Sequence, residues 1–222
     1  ILHIPVIASL NGPHLGPWAD SARQLANAGA DAIELNPYQV VTNSTLSSDQ
    51  VEIEILRVLR AVTATVKIPV ALKLSPFHTS LAQFATAADL SGAAGLVLFN
   101  RFYQPDFDTV NLTVLPQLRL SDSSELLLRL RWLAILSPQL CGSIACSGGV
   151  HNADDVVKAL LAGAHSVQLV SALLINGPEY LAELLAGLEA WMKDHGYASL
   201  EDFRGKLSLG HCPDPSGHER AG

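Results

Sequence analysis

The stretch "SGGVHNADD" (residues 147–155) decides the fold. It ends an apolar run, places two glycines in succession, and then opens a helical pattern with Asn152 as the N-cap. Glycines let a ligand come close to the backbone, and successive N–H groups in such a loop form an anion nest. The next apolar run ends in "QLVSALLINGP" (168–178), which enters a short helical turn whose free N–H groups also suit an anion. Two such loops, after the last two strands and beside a short extra helix, are where a closed parallel barrel holds phosphate.

Working outward, three segments share one pattern: "NAGADAIELN" (27–36), "LSGAAGLVLFN" (90–100) and "LAGAHSVQLV" (161–170). Each closes a helical pattern with Gly-Ala and opens a short apolar strand. Gly29, Gly92 and Gly163 fit the left-handed position just past a helix. "IPVIASL" (4–10) and "IPVALKL" (68–74) match each other, with proline at the strand start, where its missing N–H matters least. Six strands are predicted, at about 5–10, 31–36, 69–74, 95–100, 142–147 and 166–170. Helices are predicted at 17–28, 49–65, 80–91, 124–136, 153–162 and 178–195. Over 49–65, Val51, Ile55, Val58, Leu59 and Val62 form the apolar stripe. Strands alternating with helices mean a parallel sheet covered by helices.

Two architectures satisfy that order, an open doubly wound sheet and a (β/α)8 barrel. The strand ends favour the barrel, whose chemistry sits at the C-terminal ends of its strands. Polar residues recur there: Ser9, Asn36, Lys73 and Asn100, then Ser147 with Gly148 and Gly149, then Val170 and Ser171. A single Ser or Asn at a strand end also reads as a turn cap. Lys73, between Leu72 and Leu74, needs a buried or cleft-facing anionic partner. If the last two strands are strands 7 and 8, the first visible one is strand 3, and strands 1 and 2 are expected to be absent. One barrel domain is expected over 1–207, followed by a disordered polar tail over 208–222. Segment 101–123 is long for a strand-to-helix connection and reads either as a short hairpin over the site or as a plain flap. Arg101 at its base would meet an acidic ligand or pair with Asp106 or Asp108.

With 222 residues, 49% of them hydrophobic, the chain has material for one large core. Its net charge of −7, with Lys and Arg scattered, argues against a nucleic-acid surface or attraction to anionic membranes. No apolar run reaches membrane-spanning length and no basic leader opens the chain. Cys141, Cys146 and Cys212 show no paired spacing; Cys141 and Cys146 read as small buried thiols, consistent with a reducing cytoplasm. The eight histidines show no metal-ligand spacing, so no metal site is expected.

"IPVIASLNG" (4–12), "ELN" (34–36), "PVALKLSP" (69–76), "SGGV" (147–150) and "VQLVSALLINGP" (167–178) stand in the order found in one family, and "GLEAWMKDHGYASLEDFRGKL" (187–207) is similar to its closing helix and tail. The chain resembles the C-terminal two-thirds of the dihydroorotate dehydrogenase-like flavoproteins, and "LVLFNRFYQPDFD" (96–108) resembles the subgroup usually called dihydroorotate dehydrogenase-like. The resemblance implies a (β/α)8 barrel that binds FMN and oxidises a CH–CH bond of a dihydropyrimidine-like small molecule in pyrimidine biosynthesis. Relatives of this kind are often homodimers, so a homodimer is one expectation from the resemblance, while the cytoplasmic expectation rests on the cysteine usage. Lys73 matches the lysine beside the flavin N1 and O2, where reduced flavin gathers negative charge. Asn36 and Asn100 match asparagines at the flavin and substrate amide edges, and Ser9 lies near a flavin contact. Ser147, Gly148 and Gly149, with the backbone of Val170 and Ser171, match the phosphate grip. The loop after Asn36 departs from the family pattern. Where the family has Asn-x-Ser-Cys/Ser-Pro-Asn, this chain has Asn36, Pro37, Tyr38, Gln39, Val40 and Val41. Gln39 falls at the position of the proton-abstracting Cys or Ser, and a carboxamide is no base near neutral pH. Three readings follow: an oxidoreductase with an altered substrate, a non-catalytic FMN-binding paralogue serving as a binding or scaffold protein, and a flavin-free phosphate-binding barrel with Lys73 as a Schiff-base lysine.

Overall fold

A computed structural model of the chain describes residues 3–12 and 17–220. Six parallel strands form one sheet: β1 (Ile7–Asn11), β2 (Ala32–Asn36), β3 (Val70–Leu74), β4 (Gly95–Leu98), β7 (Ser143–Ser147) and β8 (Ser166–Gln168), in the order β1-β2-β3-β4-β7-β8. The helices that follow them are α1 (Trp18–Asn27), α2 (Ser48–Thr63), α3 (Leu81–Leu90), α4 (Leu126–Leu136), α5 (Ala153–Leu161), α6 (Ser171–Asn176) and α7 (Tyr180–Asp194). The expected alternation is therefore present, with all six strands in an α/β arrangement. Gly29, Gly92 and Gly163 have φ of 97°, 99° and 115°, the left-handed conformation expected just past α1, α3 and α5. Ser47 caps α2 in a capping box with Gln50, and the Asn152 side chain caps α5 by accepting from the Asp155 N–H at 2.9 Å.

The sheet's two faces differ in kind because side chains alternate along a strand. Ile33, Leu35, Leu72, Leu98, Ile144 and Cys146 face the helices and are fully buried. The opposite face carries Ser9, Asn11, Glu34, Lys73 and Gln168. These side chains report the sheet's curvature. The Gln168 amide Nε2 donates to Glu34 Oε2 at 2.5 Å, although β8 and β2 are four strands apart in the sheet. In a flat sheet four strand spacings span about 19 Å, beyond the joint reach of the two side chains. The sheet therefore curls around its polar face.

Several boundaries differ from the pattern reading. β4 ends at Leu98, short of Asn100, although the Asn100 N–H still donates to Leu74 O at 2.9 Å. β8 ends at Gln168, because Val170 already serves as the cap of α6. The first turn ahead of α4, Ser123–Glu125, is a 3-10 turn capped by Asp122. Segment 101–123 holds an antiparallel hairpin of β5 (Asp106–Asp108) and β6 (Thr113–Leu115). At its base Arg101 pairs with Glu125 at 3.1 Å, not with Asp106 or Asp108. After Leu207 the chain stays in contact with the body. Leu209 N–H donates to Ala134 O at 2.8 Å, and a short helix α8 (Ser216–Glu219) meets α4, where Arg131 Nε donates to His218 O at 2.8 Å. Residues 221 and 222 of the expected tail lie outside the described residues. No described helix is long and apolar enough to cross a membrane.

The cysteines correct one expectation. Cys146 is buried in β7, but Cys141 is exposed, because it lies in the turn before that strand. Burial pushes the Cys146 thiol up to about 12, so its nucleophilic thiolate is nearly absent near neutral pH. Iodoacetamide at pH 8 should therefore alkylate Cys141 in the folded protein and spare Cys146 until denaturant is added. Peptide mass mapping checks this, and equal labelling of both thiols in the native protein would contradict the placement of β7.

Candidate active site

The polar face of the sheet gathers into one hydrogen-bonded network near the C-terminal strand ends. Lys73 was expected to need an anionic partner, and Glu34 on the adjacent strand β2 is that partner. Lys73 Nζ lies 3.1 Å from Glu34 Oε1, with the two side chains only 15% and 9% exposed. Lys73 also donates to Gln168 Oε1 at 3.2 Å, and Gln168 turns its Nε2 to the second oxygen of Glu34. The carboxylate thus binds the ammonium and the amide together. Two of the three ammonium donors are used by the described residues, which leaves the third for a ligand.

A chain of amides runs outward from the same carboxylate. Ser9 Oγ donates to Glu34 Oε1 at 3.5 Å, and Asn11 Nδ2 donates to Ser9 Oγ at 3.0 Å. Asn36 Nδ2 donates to Asn11 Oδ1 at 2.5 Å, and Asn100 Nδ2 donates to Asn36 Oδ1 at 3.1 Å. Ser9, Asn36, Lys73 and Asn100 are therefore brought together. Glu34, Asn11 and Gln168 join them and were not singled out from the sequence. A signal for two of them was present: Glu34 stands two residues before Asn36 and Asn11 two after Ser9, so each pair shares one face of its strand. Gln168 had only its polarity inside an apolar run.

Beside the network a cleft of about 360 Å³ opens between the loops after β2 and β3. Its lining includes Tyr38, Gln39, Lys73, Phe77, His78 and Phe102. Phe102 meets Tyr38 edge-on at 4.8 Å and Phe77 at 4.3 Å, so an aromatic cluster walls one side. Burial holds the Tyr38 phenol above its ordinary range, so it is a proton donor and not a base near neutral pH. Gln39 lies in the cleft wall, as a loop following Asn36 would place it.

The glycine loop sits apart from that cleft. Gly148 and Gly149 have φ of 89° and 79°. A Cβ on Gly149 would lie 2.5 Å from Leu126 N, and one on Gly148 would lie 3.0 Å from Arg129 Nη2. Gly149 is thus required by the close approach of this loop to the start of α4, and Gly148 by its left-handed backbone. Arg129, which the sequence reading missed, is buried beneath the loop and donates to Ser147 O and Glu125 O at 2.6 Å each. Its charge lies under a loop that reads as an anion cradle, with Glu125 3.8 Å away as partial compensation. Ser171 Oγ accepts the Ser121 N–H at 3.0 Å, while Val170 is exposed. Among the described residues no group of His, Cys, Asp and Glu side chains converges to hold a metal.

No family profile matches the chain. It is 31% identical over 208 residues to a protein of Aeropyrum pernix assigned as dihydroorotate dehydrogenase A (fumarate), covering 91% of this chain and 67% of that one. It is 30% identical over 209 residues to dihydroorotate dehydrogenase A (fumarate) of Limosilactobacillus reuteri, with 90% and 67% covered. It is 29% identical over 210 residues to the catalytic subunit of dihydroorotate dehydrogenase B (NAD(+)) of Methanothermobacter thermautotrophicus, with 91% and 68% covered. The chain belongs to the dihydroorotate dehydrogenase family and spans about two thirds of the length of these relatives.

The Lys73–Glu34 contact has a measurable consequence. In a double-mutant cycle of Lys73→Gln and Glu34→Gln, followed by urea unfolding, the coupling should be about 1–3 kcal/mol, because each single change strands a charge in a half-buried site. Additive single effects would contradict the pairing.

Proposed function

We propose that this chain is an FMN-dependent oxidoreductase of the dihydroorotate dehydrogenase type, acting on the CH–CH bond of a small dihydropyrimidine-like molecule. The observation that carries this reading is the Lys73 ammonium, fixed by Glu34 and Gln168 on the polar face and left with one donor for a ligand. In this reading the six strands are strands 3–8 of a (β/α)8 barrel with its chemistry at the strand C-termini.

The residues fit the cofactor. A flavin supplies a two-electron acceptor that gains negative charge at its N1–O2 edge on reduction. Lys73 would place a fixed positive charge against that edge, which is worth most where water is excluded. Asn36 and Asn100, already bonded to each other, would orient the amide edges of flavin and substrate, with Ser9 at the flavin's side. Ser147, Gly148 and Gly149 would hold the phosphate with the backbone of Val170 and Ser171, and buried Arg129 adds a positive charge under that loop. The relatives' names include fumarate and NAD(+), so likeness to them selects no electron acceptor for this chain. A cytoplasmic homodimer in pyrimidine metabolism belongs to the same reading.

Gln39 favours a second reading. With no base at that position, the chain is either specific for an altered substrate or a non-catalytic FMN-binding paralogue acting as a binding or scaffold protein.

Titrating the protein with FMN separates these readings. Binding should give a shifted, structured visible flavin spectrum. Lys73→Gln, with its circular dichroism retained, should weaken affinity about tenfold to a hundredfold, as loss of one charge-assisted hydrogen bond does. A folded protein that takes up no FMN would overturn the flavoprotein reading. FMN uptake without bleaching by any dihydropyrimidine would favour the paralogue.

A further inference from the structure

We propose that His78, oriented by Glu52, is the proton acceptor of the cleft beside Lys73 and does the work that Gln39 cannot. The proposal rests on the oxidoreductase reading above and names a further catalytic residue within it.

The titratable side chains lining the cleft are Tyr38, Lys73 and His78. Tyr38 keeps its proton because burial disfavours the phenolate. Lys73 is committed as a cation to Glu34. His78 is left.

His78 lies in the loop after β3, five residues beyond Lys73. Its Nδ1 is 2.8 Å from Oε1 of Glu52, on the first turns of α2, and the two side chains are 8% and 19% exposed. One face of the imidazole stacks on Phe84 with ring centroids 4.1 Å apart and planes 15° from parallel. Phe84 is itself buried and lines the same cleft. The ring is thus held on an edge and on a face.

A carboxylate only accepts hydrogen bonds, so Nδ1 carries a ring proton, and in the neutral ring the lone pair is on Nε2. Nε2 makes no hydrogen bond to any described residue. No fully buried polar side-chain atom among the described residues lacks a partner, so Nε2 must touch accessible space. His78 also lines a smaller neighbouring pocket of about 190 Å³ with Glu52 and Thr79, so the dyad borders both cavities. An imidazole oriented by a carboxylate, on a residue that lines the cleft, is the arrangement general-base chemistry needs.

The step balances. Nε2 takes the proton from the carbon beside a substrate carbonyl, the neighbouring C–H leaves as hydride to bound oxidised FMN, and the electron pair left on carbon closes the C=C bond. The imidazolium then returns its proton to solvent. Glu52 is a positioning residue that fixes the tautomer.

The test uses the whole chain, wild type and the variants His78→Gln and Glu52→Gln. FMN affinity is read from the visible spectrum, flavin reduction by dihydroorotate and dihydrouracil from stopped-flow bleaching, and the His78 tautomer from long-range nitrogen–proton NMR on histidine-labelled protein. The expected result is FMN affinity within threefold of wild type in both variants. Reduction should slow about 100- to 10,000-fold in His78→Gln. In wild type His78 should show the Nδ1–H tautomer, and in Glu52→Gln that single signature should be lost with slower reduction. Wild-type reduction rates in an FMN-loaded His78→Gln, or an Nε2–H tautomer in wild type, would overturn the proposal and leave the flavoprotein reading intact. No FMN uptake by wild type would overturn the flavoprotein reading and the redox role of His78 with it. FMN uptake with no reduction of wild type by either compound would overturn the proposal and favour the non-catalytic FMN-binding paralogue.

Discussion

A lysine in the middle of a leucine-rich strand sets the terms for this molecule. The Lys73 ammonium cannot remain half-buried without an anion, and the neighbouring strand supplies Glu34. Glu34 in turn has two oxygens to satisfy, and the second is reached by Gln168 from a strand four positions away. That contact exists only if the sheet curls. Helix packing on the apolar face and charge pairing on the polar face therefore favour the same curvature. The strand ends from β1 to β8 are brought around one polar centre.

The network also sorts the site by rigidity. Asn36, Asn100, Lys73 and Ser9 are fixed by one another and by Glu34. The glycine loop is fixed differently, by backbone contact with α4 and by Arg129 beneath it. The cleft wall is built from loop residues, with Tyr38, Phe77 and Phe102 packed ring against ring. Rigid polar groups at the strand ends thus sit beside a loop-built aromatic wall, and loops are the part of a fold that varies most readily. Gln39 lies in that wall.

Much of this was legible in the sequence, and the reasons are local. Glycines past helices and proline-led apolar runs mark elements through backbone geometry alone, so the alternation of strand and helix could be read directly. Lys73 could be read because a charge in an apolar run demands explanation. Glu34 shares a strand face with Asn36, but its contact with Gln168 could not be read, because it depends on sheet curvature, which no local pattern states. Cys141 was misplaced for a similar reason: an apolar neighbourhood in sequence does not say that the turn before β7 faces solvent. The pairing of His78 with Glu52 joins two segments 26 residues apart and has no signature in spacing.

The central claim is that the Lys73 ammonium is held on the polar face with one donor reserved for a flavin. Nitrogen NMR on lysine-labelled protein, with the Lys73 signal assigned by its absence in Lys73→Gln, tests it directly. The account predicts a Lys73 ammonium signal slowed in proton exchange by Glu34 and Gln168, and moved by stoichiometric FMN. A Lys73 signal that exchanges like a solvated lysine, or one that ignores bound FMN, would contradict it.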